Sequence, residues 1–299
     1  MTANPYKNCM LCPRRCKADR TLRSGFCGMG ADIMAARAGL HFYEEPFLSG
    51  TCGSGTVFFS GCSLGCVYCQ NSSISSGHTG FRISEERLSE IFIEQQQRGA
   101  HNINIVTGTH FTPSIASALK SAKEAGLSVP VIWNSSAYEL PETLKMLDGL
   151  IDIWLPDFKT RSHELSARYM NAPGYPEAAE ASLDYMVRSC GAPVFDSSTK
   201  LMTRGVVVRH LVIPGNTKDS KNVLRYLYKT YKDSIWISVM SQYTPLSEMP
   251  YPELNRTVTS REYNSVISYA LDLGITNALI QEGESAGESF IPVFDGTGL

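Results

Sequence analysis

From residue 55 onward the chain alternates short apolar runs with longer stretches whose apolar residues recur every three or four positions. TVFFS (56–60), NINIVTG (102–108), VPVIWNS (129–135), IDIWLPDF (151–158), GVVVRHLVIPG (205–215) and IWISVMSQY (235–243) are rich in β-branched and aromatic residues. Continuous apolar runs of this length suit strands covered on both faces, as in parallel sheets. Amphipathic segments at 84–98, 112–125, 138–147, 177–190, 218–231 and 260–272 predict helices between them. Ser84 stands where an N-cap belongs, but Arg87 replaces the Glu or Gln of a full capping box. ITNALIQEG (275–283) offers a further strand. Strand and helix in strict alternation, joined by right-handed crossovers, predict an α/β fold, either a barrel or an open doubly wound sheet.

Residues 1–54 differ: they are rich in Cys, Gly and Arg, with little periodicity, and cannot bury a core alone. A metal is expected to organise them, dividing the chain into a Cys-rich segment (1–54) and an α/β domain (55–299). With 299 residues, 43% of them hydrophobic, the chain has enough apolar material for a full core. A net charge of −2 without basic runs argues against nucleic acid, whose backbone demands concentrated positive charge. Neither an apolar leader nor a membrane-length apolar stretch is present, so a soluble, cytoplasmic protein is expected.

The cysteines change this picture most. Eight of the nine fall within the first 69 residues and only Cys190 stands apart, a distribution that favours metal ligation over disulfides. GCSLGCVYCQ places Cys62, Cys66 and Cys69 in one loop directly after the first predicted strand of the domain. That is the carboxyl end of the sheet, where parallel α/β folds carry their active sites. Three thiolates at C-x3-C-x2-C can hold a 4Fe–4S cluster and leave one iron with an open coordination position. A zinc knuckle completed by Cys52 or a distant histidine is the alternative, although zinc ligands usually come as two separated pairs.

C-x3-C-x-aromatic-C, here Cys62, Cys66, Tyr68 and Cys69, resembles the signature of radical S-adenosylmethionine (SAM) enzymes. SGTVFFSGCSLGCVYCQN (54–71) narrows the likeness to the pyruvate formate-lyase activating enzyme branch and a subgroup with an N-terminal cysteine cluster. The resemblance implies a partial (β/α)6 barrel in which SAM chelates the open iron. Reductive cleavage would then give a 5′-deoxyadenosyl radical that abstracts hydrogen, in an activase from a backbone glycine of a glycyl-radical partner enzyme. Modification of another protein, a peptide or a small metabolite is the alternative chemistry. A two-centre electron carrier and a zinc-organised interaction module are alternatives of other classes. Flavodoxin or ferredoxin is the implied reductant.

The same resemblance suggests cofactor contacts at the strand ends. Tyr68 would pack beside the adenine. Thr107, Gly108, Thr109 and His110 stand where relatives carry Gly-Gly-Glu-Pro; lacking that glutamate, this chain must use backbone contacts or His110. Asn134 and Ser135 occupy the place of Asp-Thr-Asn, and Asp157-Phe158-Lys159 that of Asp-Leu-Lys, with Lys159 able to pair with a carboxylate. Arg209 interrupts a buried strand and is expected to point into the barrel toward a carboxylate, whereas His210 reads as a core residue. Gln242, Tyr243, Gln281 and Glu282 are weaker candidates for the rim. Cys9, Cys12, Cys16 and Cys27 (C-x2-C-x3-C-x10-C) form a possible second metal centre, holding zinc or a closed 4Fe–4S cluster. Cys52 and Cys190 read as small buried apolar residues. The glycine-rich GTCGSGT (50–56) precedes a strand and reads as a turn, not a phosphate loop.

Overall fold

The computed structural model describes residues 4–77, 79–281 and 292–299. In chain order the strands are β1 (Ile33–His41), β2 (Ser54–Phe59), β3 (Phe81–Ile83), β4 (Ile103–Val106), β5 (Val131–Ser135), β6 (Ile153–Pro156), β7 (Val194–Phe195), β8 (Met202–Leu211), β9 (Trp236–Met240) and β10 (Ala278–Ile280). The helices are α1 (Pro46–Ser49), α2 (Ser72–Ser75), α3 (Glu85–Gln97), α4 (Thr112–Glu124), α5 (Pro141–Leu144), α6 (His163–Met170), α7 (Tyr175–Cys190), α8 (Thr217–Tyr231) and α9 (Ser260–Asp272).

The sheet runs β10-β9-β8-β6-β5-β4-β2-β1-β3, parallel from β10 to β2. This is the partial barrel that the resemblance implies, one of the two arrangements the alternating pattern allows. The six expected strands pair in parallel, and the segment at 275–283 supplies β10 on the outer edge of β9. Beyond β2 the sheet changes character: β1 pairs antiparallel with β2, and β3 with β1.

The strands are apolar on both faces because each face meets a different core. Ile103, Ile105, Val131, Trp133, Val206 and Val208 pack outward against the helices. Ile132, Ile153, Leu155 and Val207, one residue out of phase, pack inward around Leu48 of α1. Phe47 packs edge-on against Phe195 and Trp236 within the same inner cluster. The amide of Asn102 donates to the Leu48 carbonyl and ties α1 in place. Residues from the Cys-rich segment therefore fill one end of the barrel, with β1 extending its sheet.

Local signals account for the helix starts. Ser84 Oγ accepts the Arg87 amide at 3.1 Å without the reciprocal half of a capping box. Thr259 and Glu262 form a complete box at the start of α9. The expected helix at 138–147 is broken into α5 and a 3-10 turn at Lys145–Leu147.

Candidate functional site

A cavity of about 590 Å3 opens at the carboxyl ends of the parallel strands. Each of these strands contributes: Cys66, Tyr68 and Cys69 after β2, Val106 from β4, Asn134 from β5, Asp157 and Lys159 after β6, Arg209 and Leu211 from β8, Met240 from β9 and Gln242 after it, and Gln281 after β10. His41, Phe42, Tyr43 and Glu44 form another wall, supplied by the segment between β1 and α1. Period two decides which strand residues reach it. Asn134 faces inward, and its neighbours Trp133 and Ser135 face outward.

The cluster loop leaves β2 through Gly61, whose φ of +81° suits glycine. A Cβ there would lie 2.4 Å from Met29 Cγ and 2.7 Å from the Cys27 carbonyl, so the loop and the N-terminal segment meet backbone to backbone. The Cys62 amide donates to that same carbonyl at 3.3 Å. Gly65, at φ +80°, turns the loop between Cys62 and Cys66. The donor set fits an iron–sulfur cluster: three free thiols within one loop, with the Leu64 amide 3.4 Å from Cys62 Sγ and the Ser75 hydroxyl 3.3 Å from Cys69 Sγ. Burial pushes the Cys62 and Cys66 thiols up, and the nearby Lys159 ammonium partly opposes this at Cys66. Cluster ligation takes thiolates, so it would release the protons of Cys62 and Cys66. Among the described residues no three His, Cys, Asp or Glu side chains converge as ligands to a single ion would.

A network of charges floors the cavity. Arg209 donates to Asp157 Oδ1 at 2.7 Å, Glu44 Oε2 at 2.9 Å and Asn134 Oδ1 at 2.6 Å. Lys159 Nζ lies 3.1 Å from Asp157 Oδ2. Burial alone would raise the Asp157 carboxyl, but Arg209 and Lys159 together hold it below the usual carboxylate range. Burial opposes the charge on Lys159, and Asp157 restores it, holding the ammonium well above its ordinary value. Tyr68 is held edge-on between Tyr169 and Tyr243.

Several expected contacts lie elsewhere. Thr109 and Ser135 hydroxyls donate to Glu139 at 2.8 and 2.6 Å, joined there by the Trp133 indole at 2.7 Å. All four residues are buried on the helix side of the sheet. A Cβ on Gly108 would also meet that side, at Ile115 and Trp133. His110 Nε2 lies 2.8 Å from the Ser60 carbonyl, and burial holds the ring neutral, with its pKa lowered to about 3. Thr107 turns the chain at φ +61°, its amide bonded to the Asn134 carbonyl. His210 is buried, with Nδ1 bonded to the Phe158 carbonyl. Gln242 and Gln281 line the cavity, while Tyr243 is buried, donating to the Leu254 carbonyl. Glu282 lies outside the described residues. Cys190 is buried as expected, but Cys52 is exposed on the turn after α1. Sequence reading missed Glu44 and Glu139; the one signal for Glu44 was that Arg209 required a carboxylate.

At the other metal candidate, Cys9, Cys12 and Cys27 are buried and Cys16 is exposed. Burial, with the neighbouring thiols adding to it, pushes Cys12 up to about 12. Arg20 is 2% exposed and donates to the carbonyls of Met29, Gly30 and His110 and toward Cys9 Sγ at 3.7 Å.

The radical SAM superfamily profile matches residues 56–227, more than half of the chain, and the chain belongs to that superfamily. Membership implies SAM-dependent radical chemistry and a 4Fe–4S cluster. An uncharacterized protein of Methanocaldococcus jannaschii is 29% identical over 283 residues, covering 90% of this chain and 77% of its own. A radical SAM methyltransferase from Sphaerobacter thermophilus has a similar fold: TM-score 0.53, 14% identity, 81% of this chain and 70% of that one. Streptococcus suis SuiB, solved with bound S-adenosylmethionine, matches at TM-score 0.52 and 12% identity over 75% of this chain. The chain spans about half the length of SuiB (49%).

Proposed function

We propose that the protein binds a 4Fe–4S cluster through Cys62, Cys66 and Cys69, cleaves SAM reductively, and abstracts hydrogen from a polypeptide substrate, as an activating enzyme does from a partner's glycine. The observation that carries this reading is the position of the three-thiol loop beside a large open cavity whose floor presents Lys159, Asn134, Asp157 and Arg209. Bound SAM and the cluster would supply the radical. The chain's own residues bind and orient: Lys159 meets the carboxylate of SAM, Asn134 offers an amide to it, and Tyr68 packs beside the adenine. Asp157 keeps Lys159 charged.

The rim favours a polypeptide. Phe42 and Tyr43 are 51% and 63% exposed at its edge, and Gln70, Gln242 and Gln281 form an amide wall opposite. Lys159 and Arg209 are already paired with carboxylates. With Lys159 given to SAM and Arg209 held by Glu44 and Asp157, the described lining residues leave no further lysine or arginine for an anionic metabolite. Aromatic and amide groups suit a peptide backbone. A low-potential one-electron donor, flavodoxin or ferredoxin, would reduce the cluster.

Cys9, Cys12, Cys16 and Cys27 are proposed as the second metal centre, an iron–sulfur cluster in preference to zinc. Arg20 supports ligated thiolates of either kind: it is deeply buried without a carboxylate partner among the described residues, which is costly unless nearby thiolates balance its charge. The preference for iron rests on the three-cysteine loop, which on this reading already receives that cofactor.

The test is anaerobic reconstitution, metal counting and reduction, followed by incubation with SAM and peptides containing α,α-dideuterated glycine. Deuterium in the 5′-deoxyadenosine supports glycine as the hydrogen source. Cleavage without deuterium transfer removes the glycyl reading; no cleavage by a fully loaded, reduced protein removes the radical one.

A further inference from the structure

We propose that Arg14 is a positioning residue through which ligation at the four-cysteine site holds the three-cysteine loop in shape. The inference rests on the reading of both sites as metal centres. Arg14 lies between Cys12 and Cys16 in the chain, so its backbone follows how those two thiols are held. Its guanidinium donates to the Ser63 carbonyl at 2.8 Å and the Leu64 carbonyl at 2.8 Å, both inside the loop between Cys62 and Cys66. It also donates to the carbonyls of Met170, at 3.2 Å, and Asn171.

Those last two close α6, where carbonyls have no intrahelical donor and a cation is favoured. The left-handed Asn171 (φ +49°) ends the helix there. Two backbone bonds complete the arrangement: Cys62 amide to Cys27 carbonyl at 3.3 Å, and Val67 amide to Tyr169 carbonyl at 2.9 Å. The guanidinium carbon also lies 4.0 Å from the centroid of the Phe26 ring, within cation–π range. All four acceptors are carbonyls, so the fork geometry of the side chain matters more than its charge. If Cys12 is not ligated, the turn bearing Arg14 loses its anchor and the loop loses two of its acceptor contacts at once.

The experiment is hydrogen–deuterium exchange on the anaerobic, metal-loaded full chain, read over residues 62–69, with iron and zinc counted on the same samples. Wild type is compared with Arg14→Ala, Cys12→Ala and the double variant. Loss of several charge-assisted bonds should speed exchange in the loop by about tenfold or more in Arg14→Ala. Cys12→Ala should match it, and the double variant should be no faster than either single one. Exchange across β8 should stay as in wild type. If Arg14→Ala unfolds the chain, Arg14→Lys replaces it, with a smaller acceleration expected because a lysine cannot span four carbonyls. An unchanged loop in the Arg14 variant, an unchanged loop in Cys12→Ala, or multiplied effects in the double variant overturn the proposal. Exchange needs no cofactor cleavage, so a wild type that fails to cleave SAM but shows this pattern refutes the enzymatic reading and leaves the coupling standing.

Discussion

Arg209→Met tests whether the charge network under the cavity is as tightly balanced as its geometry suggests. The arginine side chain is 15% exposed, Glu44 8% and Asp157 23%. Removing the guanidinium leaves the two carboxylates unequally placed. Asp157 keeps Lys159 at 3.1 Å, whereas among the described residues Glu44 keeps only the amides of Asn104 and Asn134 at 2.8 and 3.3 Å. Glu44 becomes a buried anion without a cation, and breaking such a pair costs about 3–5 kcal/mol. At about 2–4 °C per kcal/mol for a large domain, the fall in Tm should be about 6–20 °C. The assay is anaerobic thermal unfolding of metal-loaded proteins at one scan rate. Arg209→Met/Glu44→Gln should recover a substantial part of the loss, because the orphaned charge is gone. The acid limb carries a second sign. Asp157 has a depressed carboxyl, so its contribution is present above the unfolded value of about 3.9 and is lost as pH falls through the lower folded value. That limb should flatten in Arg209→Met. A loss below about 1 kcal/mol, with no recovery in the double variant, would refute the reasoning.

Lys159→Met should weaken SAM binding by roughly tenfold to a hundredfold, the value of one charged hydrogen bond, measured by anaerobic calorimetry; unchanged affinity would remove Lys159 from the cofactor site. Cys62→Ala should abolish SAM cleavage and lower iron content while leaving metal at Cys9, Cys12, Cys16 and Cys27, read by metal analysis. Gly61→Ala combines about 1–2 kcal/mol of left-handed backbone strain with a clash against the Cys27 carbonyl, and should lower both Tm and iron content. The His110 ring, its pKa lowered to about 3, should show no titration between roughly pH 5 and 8 when imidazole C2–H exchange is followed by mass spectrometry. A midpoint near 6.5 would contradict its burial.

The parallel strands were legible because their apolar runs reflect a physical requirement: helices outside, the α1 plug inside. β1 was not, because IMAARAGLH is built largely of small residues packed between two neighbouring strands and never forms a bulky run. α6 escaped for a related reason: HELSARYM is short and mostly polar. The three-cysteine loop was readable because its candidate ligands lie within eight residues of one another in sequence. At the strand ends, sequence adjacency groups residues that the pleat separates. Asn134 reaches the cavity, and Ser135 turns to Glu139 on the far side of the sheet. A carboxylate 165 residues away, Glu44, leaves no local mark beyond the unmet charge of Arg209.

That charge balance bears on how the site receives its cofactor. Glu44 and Asp157 against Lys159 and Arg209 give a floor with no net charge. If SAM binds over this floor as proposed, its carboxylate would find no idle cation among these four and would have to share one. Lys159 is the one placed to be shared, since Asp157 has Arg209 as a second partner at 2.7 Å and need not be left unpaired when the ammonium turns toward the ligand. Arg209 cannot make the same exchange without orphaning Glu44. On the proposed reading the two cations of the cavity would have different tasks: Lys159 would meet the ligand, and Arg209 would hold the carboxylates that allow it to do so.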